Sequence, residues 1–390
     1  MNSGGIFVKY ALLGNEMELA EDVYLEWDDT GRFSRIEPHN RCSEVRGALA
    51  IPAFINAHTH VADAFAKDLG INMPLAAVVA PPDGLKHRLL RSTPKERIQQ
   101  AIADSLKMMR AGGIRAFADF REGGVLGVSL LDEVLDPSLP RSHVFARWIE
   151  KIDELTTITS KIAGIGISSP NEYTLEALEE VARYCKLHGL LLASHVSETP
   201  QARQKSIQNR GITDTELVLQ YGVHTILVHL TCASARDIDR AIDAGAGIVL
   251  CPRSNAMLAG MTPPIDRLVE ANSTFALGTD NVMVCSPDAW QEIQFAIKLF
   301  RIQAPDKPIN PAFWFRTVTL HPAKALRIDQ FCGSLSLGKQ ADMCLVAIQT
   351  WNLKPAPAVV ANVLLRGGWG DVESVYYGGI PVWRQASPCR

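Results

Sequence analysis

Eight short apolar runs of β type recur between residues 48 and 280, and amphipathic helical stretches lie among them. The runs are ALAIPAFINA (48–57), GIRAFADF (113–120), HVFARWI (143–149), GIGISS (164–169), LLLASHV (190–196), TILVHL (225–230), GIVLCP (247–252) and TFALGTD (274–280). Segments 93–113, 174–189, 233–245 and 288–300 read as helices, the first with Pro94 in its opening turn and a closing pair of glycines. Runs that are apolar throughout, rather than alternating, suit a parallel sheet covered on both faces by helices. From His58 to Asp280 the chain advances 222 residues over seven repeats. That is about 32 per repeat, the length of one βαβ unit. Eight such units make an α/β fold of the (β/α)8 TIM-barrel type, with its site at the C-terminal strand ends. A doubly wound open sheet would place a glycine-rich phosphate loop after its first strand, where NAHTH stands instead.

The flanks read differently. Residues 1–48 and 331–390 hold short β-like pieces punctuated by glycine, too few on either side for a stable sheet. We expect one small β-sandwich domain assembled from both chain ends, with the barrel over 49–330. Residues 61–92, with PPDG at 81–84, are expected to form a loop or lid over the barrel mouth.

A net charge of −3 gives no electrostatic reason to expect nucleic acid or an anionic membrane as partner. No apolar run is long enough to span a bilayer, and the start MNSGG lacks the basic and apolar regions of a signal peptide. The eight cysteines form no C-x-x-C pair, which suits free thiols in a reducing cytoplasm. Gly333 to Lys339 spells G-x-x-x-x-G-K, but Gln340 stands where a phosphate loop needs Ser or Thr.

Chemistry gathers at the predicted strand ends. His58 and His60 alternate along an extended chain, so both imidazoles share a face and offer a two-ligand metal seat. His195 ends the fifth run with Glu198 three residues on, His229 ends the sixth, and Asp280 ends the eighth. A lone histidine at a strand end is ordinarily solvated or hydrogen-bonded. Four independent strand ends bearing His, His, His and Asp are not what chance supplies.

The ordered set PAFINAHTH, HVSET, VHLT, CPRSN and LGTDN resembles the amidohydrolase superfamily, in its deaminase and chlorohydrolase branch that includes cytosine, guanine and adenosyl-type deaminases. The resemblance covers nearly the whole chain, and GSLSLGKQADMCLVA is similar to the return of such proteins to their small β domain. It implies one divalent metal held by His58, His60, His195 and Asp280, zinc first, with iron, manganese or cobalt as alternatives. Dinuclear relatives use a carboxylated lysine ending strand four; here Ser168-Ser169 stand there, and Lys161 lies at the wrong end. Such an ion lowers the pKa of bound water to roughly 7. By the family's logic Asp280 takes the water proton, His229 orients or polarises, and Glu198 carries a proton to the leaving nitrogen. Arg121, Arg147, Arg253 and Asn255, near the ends of strands two, three and seven, are the substrate-contact candidates. Asp63 and Lys67 either line the pocket or pair with each other. The loop after H-x-H departs from the relatives' pattern, so no named substrate carries over.

The expected function is therefore metal-dependent deamination of an amino-substituted heterocycle. Ring-opening hydrolysis of a cyclic amide or imidazolone by the same groups is the alternative, and a non-catalytic barrel scaffold a weaker third. A small-molecule substrate is the expected partner. A homo-oligomer through an exposed barrel helix stays open.

Overall fold

The computed structural model describes residues 3–39, 46–147 and 152–386. Eight parallel strands close into a ring. They are Phe54–His60, Ile114–Arg121, Arg141–Arg147, Gly164–Ile167, Leu191–Val196, Thr225–His229, Gly247–Leu250 and a broken eighth made of Phe275–Leu277 and Asp280–Asn281. The first piece of the eighth strand pairs with the seventh, and the second pairs with the first strand, Asp280 opposite Thr59. The barrel closes through that break. Trp148 and Ile149 of the third predicted run lie outside the described residues.

The run 48–57 is two strands, not one. Arg46–Pro52 belongs to the other sheet and Phe54–His60 to the barrel. Pro52 has no N–H for a continued ladder, and the Ala53 N–H is drawn to the Asp342 carbonyl.

Helices follow the predicted segments closely. Leu175–His188 opens with the Thr174 hydroxyl accepting from the Ala177 N–H and ends at Gly189 in the left-handed region. Lys95–Ala111, Ala235–Asp243 and Ala289–Gln303 occupy the other three.

Two apolar layers hold the barrel. Outside it, Phe54, Phe117, Leu192, Leu227 and Ile248 pack under helices carrying Leu106, Leu178 and Ile293. Inside it, many residues are small: Ala57, Ala116, Ala118, Ala193 and Ala276 sit with Phe120, Phe145 and Val228. Helix Leu320–Ala325 closes the lower end through Ala323.

The chain ends meet in one continuous seven-stranded sheet. In spatial order its strands are Ile380–Arg384, Val372–Tyr377, Met343–Ala347, Arg46–Pro52, Gly4–Leu13, Glu18–Trp27 and Phe33–Pro38. All neighbours run antiparallel except Gly4–Leu13 and Arg46–Pro52. The seam between the two chain ends is Met343–Ala347 against Arg46–Pro52.

Residues 61–92 are mostly helical: a 3-10 turn at Val61–Ala66 and short helices at Leu75–Val79 and Leu85–Ser92. They cover the barrel mouth, where Leu75, Val79, Pro81 and Lys86 line its cavity. Among the described residues no helix is long and apolar enough to cross a membrane. Six described cysteines are free; Cys42 and Cys389 lie outside the described residues.

Candidate active site

The first strand faces its histidines inward by a break in register. Ile55 and Ala57 already pack in the barrel interior, so strict alternation would turn His58 and His60 outward. Pairing with the second strand shifts between Asn56 and Thr59, a bulge that adds one residue and turns both imidazoles to the centre. Opposite them stands Gly278, where a Cβ would lie 2.7 Å from both the Cβ and the backbone nitrogen of His58. Only glycine lets the eighth strand come so near. Asn56 clasps the two strands, donating to the Thr279 hydroxyl at 2.7 Å and accepting from the Thr279 N–H at 3.1 Å.

Ligand-capable atoms of His58, His60, His195 and Asp280 all lie within 4.8 Å of one another. Two ligands bound at about 2.1 Å each stand at most roughly 4.2 Å apart, so small shifts would close the set on one ion. Asp280 Oδ1 is 3.2 Å from His58 Nε2 and 3.5 Å from His60 Nε2. His60 Nδ1 meets Glu122 Oε1 at 2.9 Å and the Phe120 carbonyl at 3.1 Å, and His195 Nδ1 meets the Ile167 carbonyl at 3.2 Å. Those bonds place the proton on Nδ1 and leave each Nε2 bare toward the centre. Burial drives His58 down to about 3 and His195 well below its ordinary value, so both stay neutral, the ligating form. Burial opposes ionisation of Asp280 too, but the neighbouring His58, His229 and His60 hold its carboxyl well below the usual range.

These residues fit a metal ion. In the fully buried His58, Nδ1 lacks a hydrogen-bond partner among the described residues, and Nε2 has only the Asp280 carboxylate at 3.2 Å, poorly aligned for a hydrogen bond. An unmatched buried polar atom is costly, and a cation bound among His58, His60, His195 and Asp280 would satisfy Nε2. Three imidazoles and one carboxylate also form a common donor set for zinc or a similar divalent ion.

Beside this cluster stand Glu198 and His229. Glu198 Oε1 lies 3.7 Å from His229 Nε2, and burial pushes the Glu198 carboxyl up. His229 Nδ1 takes a hydrogen bond from the Asn255 side-chain amide at 3.0 Å, so its proton sits on Nε2, toward Glu198. Ser254 donates to Asp280 Oδ2 at 2.5 Å. Four non-glycine residues here have positive φ: Ser197 (47°), His229 (80°), Leu230 (51°) and Asp280 (61°). Backbone held in this unfavourable region clusters where side-chain aim matters more than local stability. His60, His195, Glu198, His229 and Asp280 open into a cavity of about 370 Å³.

The four predicted substrate contacts separate. Arg147 lines that cavity, with Glu172 at 3.7 Å. The other three do not line it. Arg121 is buried, its Nε donating to Asp119 Oδ2 at 2.7 Å. Arg253 turns outward to Ser286, Gln291 and Glu292 on and before helix Ala289–Gln303. Asn255 is behind His229. Each of these three already has a protein partner, which is why it does not reach for a ligand. Asp63 pairs with Asn281 and Lys86, while Lys67 is exposed. Sequence reasoning missed Glu122 and Lys86. Glu122 directly follows Arg121 at the end of strand two, which is a signal; Lys86, inside the covering segment, carries none.

Residues 49–369 match the amidohydrolase family. An uncharacterized protein of Methanocaldococcus jannaschii is 31% identical over 338 residues, 83% of this chain and 85% of that one. A 5-methylthioadenosine/S-adenosylhomocysteine deaminase of Teredinibacter turnerae is 26% identical over 85% of this chain and 79% of its own. Among solved structures, an adenosine deaminase from Xanthomonas campestris with bound zinc superposes with a TM-score of 0.85 at 21% identity. That match covers 97% of this chain and 92% of the other.

Proposed function

The chain belongs to the amidohydrolase family, and from that premise we propose that it is a zinc-dependent deaminase of an amino-substituted heterocycle, purine- or pyrimidine-like. The observation that carries the reading is the convergence of three histidines and Asp280 beside Glu198 and His229 at the wall of one cavity. Relatives named as deaminases of adenine-containing nucleosides support it.

In this reading His58, His60, His195 and Asp280 hold the ion. A divalent ion bound there makes water a nucleophile at neutral pH. Asp280, ionised and anchored by Ser254, takes the proton from the attacking water. His229 presents its Nε2–H to the oxygen adding to the ring carbon, aimed by Asn255. Glu198 delivers a proton to the departing nitrogen, which otherwise leaves poorly as an amide anion. The ring gains the water oxygen and ammonia leaves. Arg147 is the substrate contact we retain, through its fork of donors.

Ammonia release from a panel of aminopurines, aminopyrimidines and their nucleosides, with metal-stripped protein as control, tests the reading. Metal-dependent ammonia from any member is the expected result. Silence across the panel with metal bound overturns deamination in favour of ring-opening amide hydrolysis.

A further inference from the structure

Lys86 is almost fully buried, 3% exposed, and comes from the segment covering the barrel mouth rather than from the barrel. Burying an ammonium is expensive unless carboxylates face it. Two do. The amine forms a close ion pair with Glu122 Oε1, the same oxygen that accepts from His60 Nδ1. Its second neighbour, Asp63 Oδ2 at 3.8 Å, accepts from the Asn281 side chain at 2.7 Å, and Asp63 Oδ1 accepts from the Met283 N–H at 2.9 Å. One arm thus runs to a histidine of the cluster, the other to the residue beside Asp280. Lys86 stands between the two.

Beyond Ala66 the covering segment has little else to hold it down. Val61 and Ala64 belong to the main core and Leu90 packs against it, but within residues 67–92 Val78 is the one fully buried apolar side chain, in a small cluster with Ala66 and Met283. A segment with so few buried contacts lies at the low end of local stability. A charged bond inside a low-dielectric site therefore weighs heavily in its docking.

We infer that Lys86 is a positioning residue: it holds the Glu122 carboxylate against His60, and in doing so couples docking of residues 67–92 to occupancy of the metal site. The inference rests on the metal site proposed above. Outer partners of ligating histidines commonly govern metal affinity by about 10–100-fold. With its ammonium engaged by two carboxylates, Lys86 acts on the ligand set and not on substrate.

The test uses full-length protein stripped of metal and zinc alone as probe, with affinity read by competition against a chromophoric chelator. Lys86→Met is expected to bind zinc about 10–100-fold more weakly than wild type, while Lys86→Arg, which keeps the cation, retains most of the affinity. Zinc is expected to slow protease cleavage within residues 67–92 of the wild type, and to lose that effect in Lys86→Met. Zinc affinity unchanged in Lys86→Met, with only KM raised, would make Lys86 a substrate contact and overturn the inference. Equal cleavage of the wild-type segment with and without zinc overturns it as well, and decides the matter even if Lys86→Met does not fold. A wild type that binds no zinc sinks the proposed function and this inference together; zinc binding indifferent to Lys86 sinks only the inference.

Discussion

The Asn255 side-chain amide donates to His229 Nδ1 at 3.0 Å, and that one bond puts the proton of a buried imidazole on the nitrogen that faces Glu198. An acceptor in place of the amide would invert the tautomer and leave Nε2 without its proton. Asn255→Asp, nearly the same shape, is expected to lower kcat about 10–100-fold with zinc stoichiometry unchanged, the usual scale for a group orienting an imidazole. Steady-state kinetics beside metal analysis checks both halves. An unimpaired kcat would remove Asn255 from the positioning scheme.

Glu198 does not belong to the ligand cluster, whereas Asp280 does. Glu198→Gln should keep its metal and lose about 10²–10⁴-fold in kcat, the range for a general acid–base group. Asp280→Asn should lose turnover and bind zinc more weakly. Metal content measured on both proteins separates the roles, and full activity in Glu198→Gln would falsify the proton-shuttle assignment.

Arg147 and Arg253 are expected to fail in different assays. Arg147 faces the cavity, so Arg147→Met should raise KM about tenfold for the loss of one charge-assisted contact. Arg253 instead bonds Ser286 and Gln291 and lies 3.6 Å from the buried Glu292. Arg253→Met should leave KM alone and lower stability by about 1–3 kcal/mol. Kinetics and denaturant unfolding on the same two variants distinguish them.

Gly278→Ala forces a methyl into the backbone of the first strand at His58, which cannot give way as a flexible side chain would. Overpacking of this kind costs about 1–3 kcal/mol, and here the strain falls on the join that closes the barrel. A lower melting temperature together with reduced zinc content is the expected pair of results.

Glu292 supplies a pH dependence. Burial, first among its causes, lifts its carboxyl to about 7 despite the nearby Arg253. The folded state therefore prefers the protonated acid. The stability this contributes is fully present below the ordinary value of 4.5 and is lost as pH rises through about 7. The loss is on the order of 3 kcal/mol. Glu292→Gln is neutral throughout and retains an acceptor for the Arg253 N–H, now at 3.0 Å from Glu292 Oε1. Unfolding curves collected from pH 4 to 8 should show wild-type stability falling relative to the variant, with no difference at the acid end.

The barrel was legible because its period is local. Each βαβ unit carries an apolar strand, a turn and an amphipathic helix, and seven repeats of about 32 residues leave little choice of fold. The ends of strands one, five, six and eight were legible for the same reason: a closed ring brings its strand ends together whatever the intervening helices do. His58, His60, His195, His229 and Asp280 needed only chain order to be grouped. The split of residues 48–57 was not readable, because both halves are apolar and the deciding bond, Ala53 N–H to the Asp342 carbonyl, joins residues far apart in the chain.

Sequence by itself determined which chemical groups the strand ends carry and that they would share one mouth. Tertiary structure alone decided where each side chain points and what already occupies it. Arg121, Arg147 and Arg253 are the same residue type at similar rim positions, and only their neighbours separate a pair with Asp119, a cavity wall and a brace to helix Ala289–Gln303. Lys86 reaches Glu122 across a chain reversal that no local pattern records. Periodicity follows from backbone geometry, which every residue shares. Partner choice follows from distance between residues remote in sequence, and that is set only when the whole chain has closed.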